Sequence, residues 1–191
     1  MNLETAKILG MIGIILRIVG VFIGGYVSPV GLLLMVIAVY GISSATNRPE
    51  IFRNYILSFV AAIVGVIILL VIIIGSLSIL GGNLGTNIIS RYKSSIIWVI
   101  VFWIFISIGM YFLRKSYYGM ADALNHNLFS TTGTLYFIGG LLTIVIIGLF
   151  ILLLAVIVEV VAWITMPTIM PSKRRTTYFY SFEPKVEEPV F

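Results

Sequence analysis

The chain has no cysteine, a single histidine and few charges: Asp, Glu, Lys and Arg make up 10% of its 191 residues. Without cysteine there are no disulfides, thiolate metal sites, iron–sulfur clusters or thiol chemistry. The scarcity of charge is set against 60% apolar and aromatic residues and a mean hydropathy of +1.15. Soluble domains carry about 25% charged and ~45–50% apolar residues, so this chain cannot clothe a water-soluble globule. Also missing are H-E-x-x-H, G-x-S-x-G, a phosphate-binding G-x-x-x-x-G-K-[ST] and any pair of carboxylates within the apolar runs. At ~20 residues per bilayer crossing, the length holds a handful of spans and leaves no room for a soluble catalytic domain. These absences lead us to expect no enzyme activity, no cofactor and no metal.

What is present is a set of apolar runs. They lie over residues 8–27, 29–44, 55–80, 96–113 and 134–166. Ser28 and Pro29 divide the first two into a helical hairpin, because proline suits the first turn of a helix. Pro49 keeps the polar stretch from Ser43 to Asn54 from being one continuous helix. Gly81, Gly82, Asn83 and Gly85 read as a turn. Between the fourth and fifth runs, Tyr117, Met120, Ala121, Leu124 and Leu128 recur at helical spacing, with Asp122, Asn125 and His126 off that stripe. That pattern predicts an amphipathic helix over 115–128 lying in the membrane interface. The fifth run is ~50 Å long as a single helix, more than a ~30 Å hydrocarbon layer needs. It must tilt, protrude, or break near Gly139, Gly140 or Gly148. The expected fold is all-α: a polytopic membrane helix bundle of about five spans and one interfacial helix, over residues 1–166, followed by an extramembrane tail, 167–191. The first run lacks an A-x-A-like cleavage site and reads as a retained anchor.

Two charges fall within the spans, Arg17 and Glu159. An ionisable group there is costly unless it is paired or hydrated, so each marks either a structural clamp or a functional site. Gly10, Gly13, Gly20 and Gly24 share a helical face with Arg17, and Gly148 and Ala155 share one with Glu159. Small residues on one face let helices approach closely, and Ser58, Ala61, Ala62 and Gly65 form a similar set in the third run. If the first and fifth runs point the same way and are aligned at their ends, the depths of Arg17 and Glu159 permit an ion pair; counted from the starts of the runs, the depths differ by more than ~20 Å and the pair fails. Asp122 and His126 have a possible metal-ligand spacing, outweighed by solvated or capping roles.

With twelve Lys and Arg against seven Asp and Glu, the formal charge is +5. The cations sit in segments between apolar runs, where they meet lipid headgroups, so nucleic acid is not the expected partner. After the last run, Lys173, Arg174 and Arg175 precede an aromatic stretch that includes Tyr178, Phe179 and Tyr180. These are candidates for headgroup or partner contact. Five spans divide the cations without bias: Lys7, Arg48, Arg53, Arg114 and Lys115 on one side, and Arg91, Lys93, Lys173, Arg174, Arg175 and Lys185 on the other. A break in the fifth run would move the tail across and create a strong bias.

The stretches A-K-I-L-G-M-I-G-I-I-L (Ala6 to Leu16), E-I-F-R-N-Y (Glu50 to Tyr55) and L-F-S-T-T-G-T-L-Y-F-I-G-G-L-L-T-I (Leu128 to Ile144), with Glu159 to Trp163, resemble uncharacterised multi-pass membrane proteins of thermophilic archaea. That family has no known function, so the resemblance implies an archaeal plasma membrane setting and carries no site residues. Two functions remain in view. One is a non-catalytic accessory or structural subunit that packs against other membrane protein subunits and lipids. The other is a small transporter or channel component using Arg17 and Glu159.

Overall fold

The computed structural model describes residues 1–23, 25–80 and 88–169, with side chains for 1–23, 25–74, 97–143 and 145–169. Among the described residues it is an all-α bundle. Five of its helices are long and apolar enough to cross a membrane. Helix α1 spans Leu3–Phe22, with the Asn2 side chain accepting from the Thr5 backbone N–H at 2.8 Å. Helix α2 covers Ser28–Ala45, with Pro29 in its first turn. Helices α3 (Pro49–Leu80) and α4 (Ile88–Leu124) are the longest, and α5 (Asn127–Leu141) and α6 (Ile147–Thr165) complete the set.

Two asparagines punctuate the chain in the same way. Asn47 (φ 54°) and Asn125 (φ 50°) take the left-handed conformation just after α2 and α4. The following residue then donates back across the helix end, Arg48 N–H to Ser43 C=O at 3.0 Å and His126 N–H to Ala121 C=O at 2.9 Å. This is the glycine-type helix stop, made by the residue that next best tolerates positive φ. It accounts for the fate of the helix expected over 115–128, which is not a separate element. Its first ten residues continue α4, and Asn125 ends them. Its apolar stripe faces protein, since Tyr117, Met120, Ala121 and Leu124 are all buried.

The expected fifth span is likewise not one helix. It is α5, a 3-10 turn over Leu142–Ile144, and α6. Thr143, Ile144, Val145, Ile146 and Ile147 are all β-branched, the poorest run for helix in the segment. Val145 is extended (φ −103°, ψ 134°). Gly148 then lets α6 start against the Leu142 carbonyl; a Cβ there would lie 2.3 Å from it.

Neighbouring helices are antiparallel throughout. Gly20 meets Ser28, Gly109 meets Ala61, Gly133 meets Tyr117 and Gly139 meets Leu152. Six alternating helices bring Lys7, Arg48, Arg53, Asp122, His126 and the exit of α6 to one end. The chain thus leaves α6 beside Lys7, Arg48, Arg53, Arg114 and Lys115, and Arg91 and Lys93 stay opposite. Lys173, Arg174, Arg175 and Lys185, which enter the even division expected from five spans, lie outside the described residues. On α4, Lys93 and Arg114 bracket twenty uncharged residues, ~30 Å of helix and one hydrocarbon thickness. Trp103, at the midpoint of that stretch, donates its indole N–H to Leu141 C=O at 3.1 Å, satisfying a carbonyl at the end of α5.

Candidate functional site

The buried core gathers at the end of the bundle where α4, α5 and α6 meet α1. Trp163, Tyr117 and Phe129 are its largest fully buried side chains. Phe129 sets its edge against Trp163 (5.4 Å between centroids) and lies 6.1 Å from Tyr117. The Trp163 ring lies directly over Gly10, where a Cβ would sit 2.1 Å from it. Only glycine at that position lets α1 seat on α6.

One polar cluster is set into this core. Glu159, with none of its side chain exposed, forms an ion pair with Arg17, whose side chain is 27% exposed. Glu159 Oε1 accepts from the Tyr117 hydroxyl. Its Oε2 accepts from Arg17 Nη2 and, at 2.5 Å, from the Tyr136 hydroxyl. Arg17 Nη2 also donates to the Tyr136 oxygen at 3.0 Å. Tyr55, on α3, is buried as well. The carboxylate thus has three donors from three helices, α1, α4 and α5. A buried charge is tolerated only with such compensation.

The structure brings Arg17 and Glu159 together across helices that oppose one another, in place of the parallel runs expected. Helices α1 and α6 run antiparallel: seven residues forward on α1, from Gly10 to Arg17, correspond to four back on α6, from Trp163 to Glu159. The break before α6 adds a reversal of the chain, so the last helix opposes the first. Tyr117 and Tyr136 were not picked out as site residues. Their signal was a phenol inside an apolar run, since a buried tyrosine hydroxyl usually has a partner.

The small residues divide among several seams. Gly13 and Gly20 face α2: a Cβ on Gly13 would lie 2.8 Å from Gly31 O, and one on Gly20 2.4 Å from Ser28 N. Ser58, Ala61 and Gly65 face α4, and Ser58 Oγ donates to Tyr55 C=O at 2.7 Å. Ala62 is exposed, Ala155 is fully buried, and Gly148 closes the α5–α6 turn. Gly24 and the tail residues Lys173, Arg174, Arg175, Tyr178, Phe179 and Tyr180 lie outside the described residues, as do Gly81, Gly82, Asn83 and Gly85.

Asp122 and His126 are not joined. Asp122 forms an ion pair with Arg48, tying the α2–α3 connection to the end of α4. His126 Nε2 lies 3.0 Å from Thr165 Oγ1, linking the α4–α5 elbow to the end of α6. Partial burial lowers the His126 pKa below the ordinary imidazole value, and a backbone hydrogen bond to Ala162 opposes that shift. The helical spacing of Asp122 and His126 is lost because Asn125 ends the helix between them.

Residues 27–157 match a protein family described as being of unknown function (DUF996). The chain belongs to that family. It is also similar to an uncharacterised protein of Methanocaldococcus jannaschii, 35% identical over 176 residues that cover 91% of this chain and 98% of the relative. No solved structure matches it. The likeness to an uncharacterised archaeal family stands, and it brings no activity with it. The family match contains Tyr117 and Tyr136 and stops two residues before Glu159.

Proposed function

We propose that this chain is a non-catalytic integral protein of the cell membrane, an accessory or structural subunit in which the buried polar cluster is a lock. The observation that supports this reading is the set of three donors, from three helices, on the carboxylate of Glu159. Both oxygens accept from Arg17, Tyr117 or Tyr136. A carboxylate held this way ties the first helix to the last three and has little capacity left to accept a travelling proton or ion. Exchange at this site would have to break several charge-assisted bonds together.

Gentle solubilisation followed by native mass analysis tests the subunit reading. A reproducible partner of defined stoichiometry is the expected result, and a chain that purifies alone from its own membranes would sink it. The second reading, a transporter or channel component, draws on the partial exposure of Arg17 beside a chain of hydroxyls. Flux in liposomes that disappears in Glu159→Gln would favour it over the lock. In either case the excess of cations at one end favours a cytoplasmic position for the start of α1 and the end of α6. Because the chain lacks cysteine, single-cysteine labelling reads this directly. A cysteine at Ser90 should react with an impermeant reagent from outside, and one at Thr46 only after permeabilisation.

A further inference from the structure

The outward face of α4 carries a feature that the lock does not use. Ile97, Ile100, Ile104, Ile108 and Tyr111 are all exposed and lie on one stripe at spacings of three and four. Continuing that spacing, the stripe reaches Lys115 and then Tyr118. Lys115 is exposed and its Nζ lies 4.9 Å from the Tyr111 ring. Beside it the Arg114 guanidinium lies 5.1 Å from both the Tyr118 ring and the Phe137 ring of α5. Arg114 Nη2 is 3.4 Å from the Tyr118 hydroxyl, which in turn is 3.0 Å from Thr134 Oγ1. Among the described residues neither cation has an acid within ion-pair distance; the two ion pairs there are Arg17 with Glu159 and Arg48 with Asp122.

We propose that Arg114, Lys115, Tyr118 and Thr134 form a binding site for the headgroup of an anionic membrane lipid whose acyl chain runs along the isoleucine stripe. Stacking on aromatic rings holds the cations in place without neutralising them, so two positive charges are presented at little entropic cost. They stand where the twenty-residue uncharged stretch of α4 ends, so a bilayer spanned by that stretch sets its phosphates beside them. The two hydroxyls beside them brace the cations: Thr134 Oγ1 donates to Ser130 C=O at 2.9 Å and accepts from the Tyr118 hydroxyl, whose oxygen faces Arg114, so the phosphate itself is met by Arg114 and Lys115. The apolar stripe leading away suits a lipid tail and has no use for a free phosphate. This site is independent of the subunit reading and of the tail cations Lys173, Arg174 and Arg175.

The test uses the full chain in a neutral maltoside micelle, titrated with phosphatidylglycerol, phosphatidylcholine or inorganic phosphate, with bound lipid counted by native mass spectrometry. Phosphatidylglycerol should bind more tightly than phosphatidylcholine by about tenfold or more, the scale expected of two cations facing an anion. That preference should fall severalfold in Lys115→Gln and vanish in the Arg114→Gln/Lys115→Gln variant. Lys115→Gln alters only an exposed side chain, so an unchanged melting temperature in lipid-free micelles separates loss of lipid from loss of fold. Replacing Lys173, Arg174 and Arg175 with glutamine should leave the preference in place. Equal retention of both lipids would overturn the proposal. So would displacement by inorganic phosphate at the lipid's own concentration, or a preference that follows the tail cations in place of Arg114 and Lys115.

Discussion

The end of the bundle around Glu159 and the far part of the α3–α4 hairpin are built from equally apolar sequence and end in opposite environments. Around Glu159, aromatic rings, a glycine under Trp163 and four hydrogen-bonding side chains close on one another, and the largest of the fully buried side chains, Trp163, Tyr117 and Phe129, gather there. Along α3 from Val66 to Ile74, and along α4 from Ile97 to Ile108, no residue is buried. Those stretches are rich in isoleucine, leucine and valine. Lipid tails are as apolar as leucine, so burial alone gives helices in a membrane no reason to associate. Close backbone approach and internal polar bonds supply that reason. They are concentrated at the Glu159 end, and the hairpin arm is left to lipid.

The strongest way to break this contrast is to cut the lock. Arg17→Gln or Glu159→Gln should each lower stability by ~3–5 kcal/mol, since each leaves a buried charge or acceptor without its partner. Thermal unfolding in detergent reads the loss, and the double variant should be no worse than the worse single one. Strictly additive losses would show that the pair is not a unit. Ile104→Ala on the arm should change stability by less than ~1 kcal/mol, because its side chain is exposed already.

Glycine replacement sharpens the comparison at the next level. Gly10→Ala forces a Cβ into the Trp163 ring and should cost about 1–3 kcal/mol. Gly65→Ala, where a Cβ would meet Ile106 at 3.5 Å in ordinary contact, should be neutral or stabilising by up to ~1 kcal/mol through helix propensity. Equal effects would mean that the two regions are packed alike.

Smaller effects are expected outside the core. The Arg48–Asp122 pair is largely exposed, so Asp122→Asn should shift stability by no more than ~1 kcal/mol and less still at high salt. His126 is the group whose titration reaches physiological pH. Its folded-state pKa lies below the ordinary value of ~6.5, so on acidification the unfolded chain takes up the proton first. Stability should therefore hold above pH ~6.5 and fall as the pH drops through the window between the two values. His126→Gln should flatten that slope in a melting series against pH; an unchanged slope would assign it to other groups.

Much of the outline could be read from residue order. Hydropathy located the apolar runs, the two charges within them and the proline that separates α2 from α3. It missed where α4 ends, since Asn125 reads as an ordinary polar position until its backbone is seen to be left-handed. It left open the break after Leu141, because a β-branched run is as apolar as the helix on either side. It located Arg17 and Glu159 without their phenol partners, because Tyr117 lies 42 residues from Glu159 and Tyr136 lies 23 away.

By itself the sequence determined that this protein is helical, apolar enough for a membrane, free of thiol chemistry and nearly free of internal charge. Those properties depend on composition and on local spacing. Only the tertiary structure decided that six helices alternate, that α1 opposes α6, and that one carboxylate is held by three helices. When nearly every face of a helix is apolar, periodicity cannot separate the side that meets lipid from the side that meets protein. That choice is made by contacts between residues far apart in the chain, such as Arg17 with Glu159 and Gly10 with Trp163.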